Sequence, residues 1–351
     1  MRYQAQAQAV ATYGIDIGKN LFHVAGTDRA GRVTVRKKLR RDALLQFFAN
    51  APAATVAMEA CPGSQWLARK LAAFGHKARI VPAQFVKPYV KSNKNDAIDA
   101  EAIAEAATRP HMRFVAIKRC DQIDVQALHR ARDAMVYQRT ALISQMRAFL
   151  IEYGLTCRAG PGAFKVDLAN ALGDAENDLT PSMRCLLAGL REHLAELESR
   201  IAAFGTEIEA LADRDDAARR LMTVPGIGPL AATALVAAIG DGRQFRRGRD
   251  LSAWLGLVPA QYSTGGRPTL LGISKRGNSY VRRLLIHGAR SCVMHTDRSR
   301  HRWGEWLDGL AQRAHVNKVA VALANKIARI AWAVLVKPGA LYRREDPRFA
   351  V

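Results

Sequence analysis

Three β-prone runs in succession, TYGIDIG, LFHVAGTD and VTVRKKL, begin the patterned part of this chain, with the turn DRAG between the second and third. Alternation of polar and apolar residues over such short runs marks strands with one buried face. The pattern then changes to a short helix at DALLQFFAN, an apolar strand at ATVAME, an amphipathic helix over SQWLARKLAAFG and a strand at KARIVP. A helix over KNDAIDAEAIAEAA closes the unit. A three-strand meander followed by strand and helix crossovers is the order of a ribonuclease-H-like α/β domain.

The closing helix carries acids in a chain that has 53 Lys plus Arg against 31 Asp plus Glu. Asp96 and Asp99 are three residues apart, so on a helix starting near Asn95 they project from one face and can hold a common cation. Local chemistry offers a second reading, in which acids complement the dipole of a first turn and Asn95 or Asp96 is the N-cap. Asp16 in GIDIG points away from Ile15 and Ile17, and Glu59 ends the apolar strand ATVAME. Taken singly, Asp16 also suits a strand-end acid bonded to a turn, and Glu59 a helix cap before CPGS. Taken together, acids at the strand ends and helix face that one fold unites favour a metal site. Two magnesium ions about 4 Å apart need several hard oxygen ligands between them. Asp28 suits the turn in TDRAG, and Glu101 and Glu105 suit a solvated helix face.

The net charge of +22 favours a polyanionic partner, nucleic acid before anionic membrane. No membrane partner is expected: VAVALANKIARIAWAVLV is interrupted by Lys326 and Arg329 and reads as a buried helix. The start lacks a signal peptide's apolar core, and the five cysteines are dispersed without a CxxC pair, which fits a reducing cytoplasm. Charge is uneven: residues 1–110 carry 17 bases and 8 acids, 111–220 carry 15 and 16, and 221–351 carry 21 and 7. Two nucleic-acid-facing modules joined by a segment for protein contact would give that distribution.

In the neutral middle, Leu187, Leu190, Leu194, Leu197, Ile201, Phe204, Ile208 and Leu211 alternate by three and four, a coiled-coil seam. A weaker seam runs through Val125, Leu128, Met135, Leu142, Met146 and Phe149, with Arg132 and Arg139 at seam positions. With GLTCRAGPGAF as a loop, the two helices are expected to form an antiparallel hairpin, either within one chain or paired with another protomer. The last third opens with apolar helix, Pro225-Gly226-Ile227-Gly228, apolar helix, the outline of a helix-hairpin-helix. Gly226 and Gly228 would let backbone N–H groups meet a phosphate, and the basic sequel RQFRRGR supports this over a plain helix turn.

Six segments, GIDIGK, MEACPGSQWLARKL, FGHKARIVPAQFVKPYVKSNKNDAIDAEAIAEA, VPGIGPLAA, LSAWLGLVPAQYSTGG and GISKRGNSYVRRLLIHGAR, closely resemble the DEDD transposases of insertion-sequence family one-ten, relatives of the Piv invertase. The resemblance spans roughly residues 13–335. It implies a RuvC-like catalytic domain at 13–110, a helical coiled-coil oligomerisation segment at 111–215, and a helical serine transposase domain with a helix-hairpin-helix at 216–340. A disordered leader over 1–12 and a tail over 341–351 flank them. The family's carboxylates fall on Asp16, Glu59, Asp96 and Asp99, holding Mg2+ as two ions, and its serine falls on Ser263. Ser274 in GISKRGN is the competing nucleophile, ranked lower because Lys275 and Arg276 beside it look like phosphate binders. The resemblance further implies a homo-oligomer, dimer or tetramer, and a structured bridge RNA as guide; no stacking-aromatic RNA-binding signature is present.

The expected function is DNA strand cutting and rejoining through a phosphoserine intermediate, in a bacterial, nucleoid-associated cytoplasmic protein. Arg246, Arg247, Arg249, Lys275, Arg276, Arg282 and Arg283 are the candidate phosphate contacts, the alternative being a solvated basic surface. Two other functions use the same residues. A junction-resolving nuclease would employ the carboxylates with water as nucleophile, and a non-enzymatic protein would bind DNA through the helix-hairpin-helix alone.

Overall fold

The computed structural model describes residues 10–90, 95–297, 301 and 303–343, in two compact units, Met1–Arg119 and Cys120–Val351. The leader expected over 1–12 lies outside the described residues as far as residue 9. Val10 packs against the first unit's core and Thr12 already belongs to its first strand. Of the tail, 344–351 lie outside the described residues, while the Tyr342 N–H donates to Thr223 Oγ1 at 2.9 Å.

In the first unit the meander is β1 (Thr12–Ile17), β2 (Leu21–Thr27) and β3 (Val33–Arg40), followed by α1 (Arg41–Asn50), β4 (Thr55–Glu59), α2 (Ser64–Ala73) and β5 (Lys77–Val81). The short helix α3 (Ala83–Val86) and α4 (Asp96–Ala107) complete it. The sheet order is β3-β2-β1-β4-β5, with β1 antiparallel to β2 and parallel to β4. A mixed sheet in this order agrees with a ribonuclease-H-like domain. Strand period sorts the side chains. Tyr13, Ile15, Phe22, Val24, Val56, Met58 and Ile80 face one way and bury against Leu44 and Phe48 of α1 and Leu67 and Leu71 of α2. Each large apolar side chain so removed from water contributes roughly 1.5–3 kcal/mol. On the opposite face, Ala57 and Val81 pack against Ala102, Ile103 and Ala106 of α4.

Gly14 sets how close α4 comes. A Cβ there would lie 2.0 Å from the Ala100 carbonyl oxygen and 2.6 Å from the Ala104 nitrogen. Only the missing side chain lets the helix rest on the middle of β1, which places α4's first turn over the strand ends.

The second unit is mostly helical. Its long helices α5 (Cys120–Ile151) and α7 (Pro181–Arg214) are joined through α6 (Pro161–Gly173). Leu142, Met146 and Leu150 of α5 cluster with Phe164 and Leu168 of α6 and with Leu187, Leu194 and Leu197 of α7. The leucine seam therefore has apolar partners inside its own chain. α6 begins within the segment expected to be loop through Phe164. Pro161 opens it and Phe164 and Leu168, four apart, are fully buried, which is enough apolar face to hold a helix.

Helices α8 (Asp216–Met222), α9 (Pro229–Ile239), α10 (Gly248–Trp254), α11 (Ser279–His295), α12 (Gly304–Ala311) and α13 (Val316–Val336) share a second core. α13 is the one helix among the described residues long and apolar enough to cross a membrane. Its Val319, Leu323, Ile327, Ile330 and Val334 pack in that core, as a core helix's would. A feature not anticipated is the two-stranded hairpin β6 (Pro259–Thr264) and β7 (Arg267–Ile273) between α10 and α11.

Candidate active site

β1 and β2 pair so that Asp16 stands opposite His23. Asp16 shares the face of Gly14, toward α4, and His23 shares the face of Ala25; their apolar neighbours fill the other side. Asn95 caps α4 by accepting from the Ala97 N–H at 3.0 Å, which leaves the next residue, Asp96, to project from the first turn. His23 Nδ1 and Asp96 Oδ2 are 3.6 Å apart. Among the described residues, Asp16, His23 and Asp96 form the one group whose ligand atoms all lie within 4.8 Å of one another. Glu59 and Asp99 are not part of it. Since Ile15 pairs with Met58, Glu59 lies one residue further along the strand beside Asp16, on the same face. Asp99 sits three residues along α4 from Asp96, half-buried.

The Cys61 thiol lies close enough to two of these acids to feel their charge. Burial, followed by the negative charges of Glu59 and Asp16, pushes its pKa up to about 11. Beside the trio a cleft of about 200 Å³ is lined by His23, Val24, Ala25, Arg36, Lys37, Lys38 and Ala97. Of the cations of the edge strand β3, Lys38, paired with His23, and Arg36, bonded to Glu101, stand on the face of the site, while Lys37 lies over the Phe47 ring on the other face. The acids set aside above are used locally. Asp28 Oδ1 accepts from the N–H groups of Ala30 and Arg32, Glu101 takes Arg36 Nε at 2.6 Å, and Glu105 takes Arg109.

Sequence reasoning missed His23. The signal available was register: in a two-residue-period hairpin, the residue of LFHVAGTD opposite Asp16 must share its face. Two carboxylates and an imidazole that close together suit a divalent cation.

In the second unit, Ser263 lies on β6, exposed, opposite Pro268, with Gly265 and Gly266 forming the turn. Gln261 Nε2 donates to Ser263 Oγ at 2.8 Å, so a second side chain orients the hydroxyl. Ser274 is half-buried at the hairpin's base, where its N–H donates to the Val258 carbonyl. Lys275 has φ 53, the left-handed region, and its N–H donates to the Gly256 carbonyl.

The basic candidates divide by what already holds them. Arg246, Arg247 and Arg276 are exposed and Arg249 lies at the start of α10. Arg282 Nη1 instead donates to the carbonyls of Leu255 and Arg276, and Arg283 is bonded to Asp133. Those two side chains tie α11 to its neighbours. Gly226 and Gly228 also differ: a Cβ on Gly226 would meet Ile327, Cys292 and Gly288 at 3.0–3.1 Å, whereas one on Gly228 would meet nothing within 4 Å. Gly226 therefore serves packing, and Gly228 stands open at the start of α9.

Behind that turn lies a buried relay. Tyr280 O–H donates to His129 Nδ1 (2.9 Å), and His129 Nε2–H donates to Thr233 Oγ1 (3.0 Å), whose own proton goes to the Pro229 carbonyl. Burial, helped by the charge of Arg132, lowers the His129 pKa to about 4, so the ring is neutral.

Residues 13–154 match a family model described as Transposase, the DEDD domain of IS110, and residues 218–304 match one described as Transposase IS116/IS110/IS902 family. The chain is 47% identical over 323 residues to a Pseudomonas aeruginosa protein named "Probable family 20 transposase", covering 92% of this chain and 96% of the relative. It is 44% identical over 325 residues to the transposase for insertion sequence element IS1328 of Yersinia enterocolitica, covering 93% and 96%. With the transposase for IS1111A of Coxiella burnetii it shares 43% over 324 residues, 92% and 89% of the two chains. A DEDD domain of this kind implies use of a divalent metal, and Asp16, His23 and Asp96 have the donor chemistry for one. The chain belongs to the IS110/IS116/IS902 family of insertion-sequence transposases, enzymes of DNA transposition.

Proposed function

We propose that this transposase cuts and rejoins DNA through a phosphoserine intermediate, with Asp16, Glu59, Asp96 and Asp99 as the carboxylates that hold Mg2+ and Ser263 as nucleophile. The observation that carries it is the approach of Asp16 and Asp96, from a strand and a helix 80 residues apart in sequence, to within metal-ligand distance. Bound there, divalent ions would neutralise charge on the scissile phosphate. Ser263 Oγ forms the new bond to phosphorus as the bond from phosphorus to the 3′ oxygen breaks. The serine proton leaves with the departing 3′ oxygen or passes to water, and the ester conserves the bond for rejoining. Gln261 orients the hydroxyl, and Gly265-Gly266 lets a DNA backbone come close.

Arg246, Arg247, Arg249, Lys275 and Arg276 neutralise backbone phosphates in this reading, and Gly228 offers a helix N-terminus to another. The net charge of +22 also suits a structured guide RNA, the partner that the family resemblance implies. Assembly as a homo-oligomer through the central helices is supported by Tyr137 and Leu186, exposed on α5 and α7. The protein acts where its DNA lies, at the bacterial nucleoid. Incubation of wild-type protein with element-end DNA and Mg2+ is expected to give a denaturation-resistant adduct, and Ser263→Ala is expected to lose both adduct and cleavage. Cleavage that survives the substitution would instead mean hydrolysis by water at the same carboxylates.

A further inference from the structure

We propose that the imidazole of His23 is a direct ligand of the divalent cation, giving the site a mixed nitrogen and oxygen donor set that prefers Mn2+ to Mg2+; this rests on the carboxylate metal site proposed above. His23 Nδ1 faces Asp96 Oδ2 at 3.6 Å, too long for a hydrogen bond. The two groups thus confront each other across a gap. Adjacent ligands on a six-coordinate ion with bonds of roughly 2.1 Å stand roughly 3.0 Å apart, and opposite ones roughly 4.2 Å. The observed separation falls between these, and Asp16 supplies a third donor within 4.8 Å of both.

The imidazole is also fixed in place. Phe22 and Val24, its neighbours on β2, are 1% and 2% exposed, and its cross-strand partner is Asp16 itself. A strand so anchored holds the His23 Cβ about 5 Å from that of Asp16, and the ring, 17% exposed, is held toward the acids. Mg2+ prefers oxygen and gives up its water reluctantly, whereas later divalent ions accept imidazole nitrogen more readily. A ligand His therefore predicts a preference that four carboxylates alone do not. A His23 that merely oriented Asp96 would support binding of both ions alike.

Pulsed electron paramagnetic resonance of Mn2+ bound to the full-length chain tests this. Electron spin echoes are expected to show modulation from a directly bound imidazole nitrogen, absent in His23→Ala and in His23→Asn, which keeps a polar side chain. Calorimetry is expected to show the ratio of Mn2+ to Mg2+ affinity falling in the variants to that of an all-carboxylate site. Bound Mn2+ without nitrogen modulation, modulation that persists in the variants, or an unchanged ratio would overturn the His23 assignment and leave the carboxylate site standing. Failure of the unaltered chain to bind either ion would overturn both.

Discussion

Ser263 and Lys275 lie on the strand and at the base of one exposed hairpin, and their backbones are held in different ways. Ser263 is in extended backbone with its hydroxyl engaged by Gln261. Gln261→Ala is therefore expected to slow adduct formation without abolishing it, measured as single-turnover rate on element-end DNA, whereas Ser263→Ala removes it. Lys275 is the one non-glycine residue of positive φ among those described. Lys275→Gly is expected to stabilise the protein by about 0.5–1 kcal/mol, as left-handed strain is relieved against glycine's greater unfolded freedom, in denaturant titrations. The same change is expected to weaken DNA binding if the ammonium contacts phosphate. Arg282 behaves oppositely. Arg282→Ala is expected to cost about 1–2 kcal/mol of stability, because its Nη1 satisfies two carbonyls, with DNA affinity per folded molecule unchanged.

At the scale of elements, α4 and the relay behind α9 are the most exposed to test. Even one methyl on Gly14 would overlap the Ala100 carbonyl of α4. Gly14→Ala is expected to cost about 3 kcal/mol and to lower divalent-ion affinity, since α4 carries Asp96 and Asp99. The relay gives a pH dependence. His129 has a folded-state pKa of about 4, below its ordinary 6.5, so the fold favours the neutral ring. Its contribution is complete above pH 6.5 and is lost as pH falls from there through 4, by about 3 kcal/mol in all. The stability difference between wild type and His129→Gln is expected to shrink over that window in denaturant titrations. Much of this level was legible in the sequence. Period-two strands, the DALLQFFAN and SQWLARKLAAFG helices and the leucine seam each announce themselves by spacing, because burial of one face is what spacing encodes. The β6–β7 hairpin escaped notice because nothing buries it: its side chains are exposed almost throughout, so no apolar face marks it. α6 was masked by the loop-like GPG at its start. His23 was invisible to motif reading because its meaning comes from register with Asp16, a relation between strands.

For the whole molecule, the charge of +22 makes binding to polyanions depend on salt. The logarithm of DNA affinity is expected to fall linearly with the logarithm of salt concentration, and replacing Arg246, Arg247 and Arg249 by Ala should reduce that slope by about 2.7 if all three meet phosphates. Most of that charge lies within the described residues, and nothing in the sequence alone tells which of the chain's arginines face DNA and which, like Arg283, are spent on a neighbouring acid. The carboxylate pattern, by contrast, was readable as four acids in a basic chain, and Asp16 and Asp96 do approach each other. Anomalous diffraction from crystals grown with Mn2+ tests the centre of the account most directly. A manganese peak bounded by Asp16 and Asp96, with Glu59 or Asp99 drawn toward it, is the result expected; a well-ordered site with no metal density between those carboxylates would contradict it.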